Sequence, residues 1–208
     1  MTAIALPAHP LLDAVAVLAT WPAPIAELSL PAATVATLPA ADDEVRKAIR
    51  DLLRQGGFKP TGRSKPASEF LLGAEAQGAF PSINPAIDIC NRVSLHSGLP
   101  ISAIDADMTR GELSIRLGGA DETYVFNSAG HAIDLEGLLC LCDADGPCAN
   151  AVKDAQRTKT TSETRRLLIL VWGSRSLASR SAQTAAWLSA WLTAAGASVT
   201  SLVSHEVA

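Results

Sequence analysis

Apolar positions recur along this chain with two different periods, and the change from one to the other falls near Pro100. Before it the period is helical. Val45, Ile49, Leu52 and Leu53 form one stripe, which predicts a helix over 43–55 stopped by Gly56-Gly57. Pro66 suits the first turn of another helix, running over 68–77 with Gly78 behind it. Asn84-Pro85 supplies a cap and a first-turn proline, which predicts a helix through His96 closed by Gly98. Its apolar stripe is Ala86, Ile89, Cys90 and Val93, leaving Asp88, Asn91 and Arg92 together on the other side. A helix over 10–19 is also expected, followed by an extended connector, WPAPIAELSLP.

After Pro100 the period is two. Leu113, Ile115 and Leu117 alternate with Ser114 and Arg116, and short apolar segments follow at 123–127, 131–135, 138–143 and 147–152, separated by glycine-containing turns. The unbroken run LLILVW over 167–172 predicts a central strand buried on both faces. A helix over 176–195, carrying Trp187 and Trp191, and a last strand, ASVTSLV, complete the order. The pattern predicts an α+β fold, a small antiparallel β-barrel or meander with flanking helices. Residues 1–40, rich in alanine and proline, are expected as a segment packed on a core domain of residues 41–208.

Composition adds little until charge is located. A chain of 208 residues with 48% hydrophobic and 18% charged residues is an ordinary globular domain with a core of its own. The net charge of −4 argues against indiscriminate nucleic-acid coating, and no DNA partner is expected. Yet residues 59–65 carry +3 and residues 153–166 another +3, so the rest of the chain carries −10. Two compact cationic segments on an acidic body point to one confined site for an anion. The apolar stretch 11–21 is too short to span a bilayer and lacks a basic leader, so no membrane partner is expected and the cytoplasm is the expected compartment.

Each chemistry-bearing motif also has a plainer reading. GFKPTGRS over 57–64 nearly spells a phosphate-cradling loop, but that loop must follow a strand, and here it follows a helix. Cys140, Cys142 and Cys148, with His131, offer zinc-binding atoms at a spacing that no usual knuckle has, so reduced, buried thiols are expected and no metal. Lys59, Arg63 and Lys65 stand where the positive end of a helix dipole disfavours cations. Either they meet an anionic ligand together with the free amides of that helix, or acids such as Glu69 simply pair with them. The segment 153–160 offers Lys153, Asp154, Gln156, Arg157, Thr158 and Lys159, which suits a ligand-holding loop or a solvated turn.

The segments VRKAIRDLL, GRSKPASEFLL, SINPAIDICNRVSLHSGLPISAIDADMTRGELSIRL and VKDAQRTKTTSETRRLLILVWG, in that order, resemble the B3/B4 domain of the phenylalanyl-tRNA synthetase beta chain in a free-standing form. The resemblance runs from Val45 to Gly173 and is most specific over INP-x-x-D-x-x-N-x-x-SL-x-x-x-LP-I-x-x-x-D, Ile83 to Asp105. It implies a small barrel with flanking helices that hydrolyses tyrosine wrongly esterified to tRNA. Asn91 matches a pocket asparagine. Two positions depart: Ser102 stands where that domain commonly has histidine, and Gln156 where it has a glutamate, with Asp154 two residues earlier. Glutamine cannot take a proton at neutral pH, so chemistry and ligand are both open to change.

Together these readings predict a hydrolase that clears a mischarged aminoacyl-tRNA in trans, without a cofactor. Asn91, Asp154 and Gln156 would carry the chemistry, and Lys59, Arg63, Lys65, Glu69, Ser102, Lys153, Arg157, Thr158 and Lys159 would bind the aminoacyl-tRNA or a smaller anionic ligand. The alternative is a non-catalytic binder of an amino acid, a nucleotide or a tRNA end. A purely structural role through an oligomer face on the Trp187/Trp191 helix is the third reading.

Overall fold

The computed structural model describes residues 3–207, and of residues 206 and 207 the backbone alone. The chain begins with two strands, β1 (Ala3–Pro7) and β2 (Leu12–Thr20). Three helices follow: α1 (Asp43–Arg54), α2 (Ala67–Ala76) and α3 (Pro85–Ser97). Next come β3 (Ile101–Asp105), β4 (Leu113–Leu117), β5 (Thr123–Val125), β6 (Ala132–Asp134), β7 (Leu139–Asp143), β8 (Gly146–Asn150) and β9 (Arg166–Ser174). Helix α4 (Arg180–Ala194) and strands β10 (Ser198–Ser201) and β11 (Val203–Val207) end it.

These elements form an α+β fold of three layers. One sheet runs β10-β2-β9-β3, a second runs β11-β1-β4-β7-β8, and β5 and β6 make a separate hairpin. Among the described residues the sheets stay open, so the expected barrel is replaced by two stacked sheets. Alternate residues of β9 face opposite ways: Leu167, Ile169 and Val171 join a core with α1, α3 and α4, whereas Leu168, Leu170 and Trp172 join a core with the second sheet. Covered on both faces, the strand has no polar side to show, which is why its sequence is a continuous apolar run.

Two helix starts follow directly from capping chemistry. The Asp42 side chain accepts from the Val45 amide at 3.0 Å, and the Asn84 side chain accepts from the Ile87 amide at 3.1 Å. Gly98 closes α3 in the left-handed region at φ 71°, as an L side chain seldom does. The four residues of the α1 stripe, Val45, Ile49, Leu52 and Leu53, are all buried.

Residues 10–19 correct one expectation: they are not a helix. Leu12–Thr20 is β2, paired over nine residues with β9 from Leu12↔Ser174 to Thr20↔Arg166. Alanine favours helix, but β2 lies between two cores and is apolar on both sides, which erases the periodicity that tells strand from helix. The oligomer-face reading of α4 also fails, because Trp187 and Trp191 are buried, donating to the carbonyls of Thr34 at 3.1 Å and Pro31 at 3.4 Å. They anchor the alanine- and proline-rich stretch within one chain.

A backbone contact joins the end of α1 to the turn before β7. A Cβ on Gly137 would stand 2.0 Å from the Gly56 carbonyl oxygen, and Gly137 has φ +68°. Substituting Gly137→Ala is expected to lower stability by about 2–4 kcal/mol, through overpacking and left-handed strain together, as read from urea unfolding.

Candidate anion-binding cleft

The Gly56–Gly137 contact sets the loop after α1 beside the β5–β6 hairpin, and a cleft of about 740 Å³ opens there. Gly56, Gly57, Phe58, Lys59, Arg63 and Ser64 line it from the loop, Phe126, His131, Ile133, Asp134 and Glu136 from the hairpin, and Lys153 from the turn after β8. The two cationic segments, about ninety positions apart in sequence, therefore meet around one hollow through Lys59, Arg63 and Lys153.

Lys153 is held in place by an internal network. Asn150, at the end of β8, accepts through Oδ1 from the amides of Val152 at 2.8 Å and Lys153 at 2.9 Å. Its Nδ2 donates to the Tyr124 hydroxyl, which in turn donates to the Lys153 carbonyl. The Lys153 Nζ lies 4.0 Å from the centroid of the Phe126 ring, a cation–π contact. Burial, Arg63 and Lys159 all push its pKa down, in that order. Lys159 itself donates to the Phe126 carbonyl at 2.5 Å.

Among the described residues, the ion pairs leave Lys59, Arg63 and Lys153 out. Glu69, the proposed neutralising acid, instead grips Arg50 through two hydrogen bonds of 2.6 Å. The cleft has carboxylates of its own in Asp134 and Glu136, and the Asp134 Oδ1 accepts from the Glu136 amide at 3.0 Å. His131 accepts at Nδ1 from the Asn127 side-chain amide at 3.0 Å, which places its proton on Nε2.

Other expected site residues lie elsewhere. Lys65 runs along α2, its Nζ 3.6 Å from where a Cβ on Gly73 would stand. The Ala67 amide at the start of α2 donates to the Ala151 carbonyl, so it is not free for a ligand. Arg157 forks onto Asp143 at 2.7 and 3.0 Å and also donates to the Gly146 carbonyl, bracing the β7–β8 hairpin. Thr158 is fully buried and donates to the Cys148 carbonyl at 3.0 Å. Ser102 is 2% exposed, accepting from Trp172 Nε1 at 2.9 Å and donating to the Asn150 carbonyl at 3.1 Å. Thus Glu69, Ser102, Arg157 and Thr158 are engaged internally. Gln156 is exposed and Asn91 half-buried, and neither lines the cleft.

Asp154 is half-buried, with its carboxyl turned inward. Its Oδ2 accepts from the Ala103 amide at 3.2 Å, while its Oδ1 is sealed from solvent without a partner. Burial pushes its pKa up to about 6, against the opposing pull of the nearby Ser102 hydroxyl, the amides of Ala103 and Asn150 and the charge of Lys159. The cysteines lie deeper: Cys140, Cys142 and Cys148 are buried, each donating to a backbone carbonyl, and burial pushes the Cys142 thiol up to about 11.

Sequence reasoning missed the hairpin's share of the cleft. Phe126, His131, Asp134 and Glu136 sit in a short, exposed two-stranded element whose position relative to the α1 loop depends on two glycines meeting, and no local pattern encodes that.

The cleft thus opens, with a cationic mouth, at the rim of an open two-sheet α+β frame. The model of the B3/4 domain matches residues 62–198, and the chain belongs to that family. It is 33% identical over 136 residues to the phenylalanine–tRNA ligase beta subunit of Tropheryma whipplei (strain Twist), a match that covers 57% of this chain and 14% of that protein. Its fold is similar to an N-terminal fragment of the phenylalanyl-tRNA synthetase beta-subunit from Pyrococcus horikoshii, with a TM-score of 0.60 at 10% identity over 99% of this chain and 52% of the fragment. The chain thus spans a small part of the one relative and about half of the other. Among the described residues no helix is long and apolar enough to cross a membrane.

The sealed Asp154 gives stability a pH dependence. Below about pH 4 the carboxyl is protonated in folded and unfolded chains alike and exacts no penalty. As pH rises from about 4 to about 6 the unfolded chain releases this proton while the folded state retains it, so stability falls by on the order of 2–3 kcal/mol and levels off once both states are ionised. Asp154→Asn should remove that fall, so urea unfolding should show the variant gaining on the parent between acid and neutral pH.

Proposed function

We propose that this B3/4 domain acts on tRNA in trans: the aminoacylated end enters the cleft, Lys59, Arg63 and Lys153 hold its phosphates, and a mischarged ester is hydrolysed. The observation that carries the reading is the meeting of three cations from two distant segments, none in an ion pair, around one hollow of a domain related to a tRNA ligase subunit. Phosphate oxygens suit such a site, because charge-assisted contacts are stronger than neutral ones and a cleft lined by charge concentrates its counter-ion. His131 and the carboxylates of Asp134 and Glu136 line the same hollow, where an acceptor is needed to orient a water against an ester carbonyl. A protein with this task works in the cytoplasm, beside the synthetases.

A second reading has its own support. Ser102 is fully hydrogen-bonded, the Asp154 Oδ1 is sealed, and Gln156 is exposed, so the residues that the family resemblance marks for chemistry do not face one cavity. On this reading the domain binds the tRNA end and leaves the ester intact.

Incubation with a panel of mischarged tRNAs separates the two: faster deacylation than in buffer is expected of the hydrolase, and saturable binding with intact esters of the binder. Either way, Arg63→Ala and Lys153→Ala should each weaken binding across all tRNAs and lower the slope of log affinity against log salt by about one. Unchanged salt dependence in both variants would remove the cleft from the account.

A further inference from the structure

Lys153 occupies a position that the other four lysines do not share. Lys47 is exposed and paired with Asp51 at 2.8 Å, Lys65 lies along α2, Lys159 is tied to the Phe126 carbonyl, and Lys59 is exposed at the mouth of the cleft. Lys153 alone is half-buried in the cleft, its Nζ fixed over an aromatic ring 4.0 Å away and beside the Arg63 guanidinium. The Phe126 ring favours the ammonium form. Burial and two neighbouring cations oppose it and prevail, so the amine is neutral more often than an ordinary lysine's. Neither Asp134 nor Glu136, the acids of the same cleft, forms an ion pair with it. A positioned amine with nucleophilic character, next to groups that bind anions, is suited to an electrophile that carries its own negative charge.

We propose that Lys153 is an acylation site for acyl phosphates, which Arg63 and Lys59 draw into the cleft, and that the amide formed there weakens the cleft's hold on anions. The Nζ lone pair attacks the acyl carbon. A C–N bond forms, the bond from that carbon to the phosphate oxygen breaks, and inorganic phosphate leaves with the electron pair. The proton shed by Nζ passes to phosphate or water. The product has lost one of three cleft cations and the cation–π contact with Phe126, so the site is switched by a covalent charge change. The inference rests on the cleft being an anion site, but it does not require the anion to be RNA.

The whole protein is incubated with acetyl phosphate at mildly alkaline pH, and each lysine's acetylation is followed by peptide mass spectrometry. Lys153 should react about tenfold faster than Lys47, the gain expected from local concentration of an anionic donor. Excess pyrophosphate, or Arg63→Ala with an unchanged melting temperature, should reduce that preference to the one seen with a neutral acetyl ester. Acetylation should also lower pyrophosphate affinity roughly fivefold, the loss of one charge-assisted contact, and should not do so in Lys153→Arg. Reaction at Lys153 no faster than at Lys47, or a preference untouched by pyrophosphate and by Arg63→Ala, would overturn the proposal. Preferential acetylation without tRNA binding would sink the RNA reading and leave this one standing; tRNA binding without preferential acetylation would do the reverse.

Discussion

The two-sided burial of β9 governs the rest of the architecture. A strand with Leu167, Ile169 and Val171 on one face and Leu168, Leu170 and Trp172 on the other needs an apolar layer on each side. Each such side chain contributes about 1.5–3 kcal/mol when removed from water, so leaving either face open would forfeit several of these contributions at once. The helical layer covers one face and the five-stranded sheet the other. β2 and β3 become its neighbours because they too tolerate burial, and β2, rich in alanine, lets the layers approach closely.

The cleft is a by-product of where that sandwich must be stitched at its rim. The loop leaving α1 can reach the turn before β7 only where both backbones lack a Cβ, at Gly56 and Gly137. The β5–β6 hairpin, outside both sheets, is held to the turn after β8 by the Asn150–Tyr124–Lys153 chain of hydrogen bonds. A rigid sandwich thus carries two less regular elements tied to it at defined points, and the space between them is the hollow. Rigid framing of irregular segments is how binding groups from distant parts of a chain come to be pre-organised.

Much of this was legible beforehand where one local rule dominates. Asp42 and Asn84 announce α1 and α3 because a short polar side chain before an apolar stripe has a single strong use, and Gly98 marks the end of α3 for the same kind of reason. The alternation at 113–117 reads as a strand because Leu113 and Ile115 are buried while Ser114 and Arg116 are not, although Leu117 at its end is exposed. β2 misled because burial on both sides removes the periodic signal, and alanine content then points the wrong way. In the site, the convergence of Lys59 and Arg63 with Lys153 was legible from charge segregation alone. The fates of Ser102, Arg157 and Thr158 were not: a residue type able to bind a ligand is equally able to brace a turn, and only three-dimensional neighbours decide.

Charge pairing sharpens that distinction. The chain has 21 acids for 17 bases, so acids are plentiful, and among the described residues Arg46, Lys47, Arg50, Arg54, Arg110, Arg116, Arg157 and Arg166, all outside the cleft, sit in ion pairs. Apart from Arg157–Asp143 and Arg50–Glu69, whose carboxylates are buried or nearly so, these pairs are solvent-exposed and each contributes little, so their presence is weak testimony about stability. Their distribution is more informative. Lys153 is partly desolvated, lies near two other cations and has no acid in an ion pair with it, although Asp134 and Glu136 line the same hollow. Holding like charges together out of bulk water lowers stability, and an aromatic ring returns only part of that. Local conflicts with stability tend to coincide with function, and negative charge entering the cleft would relieve this one.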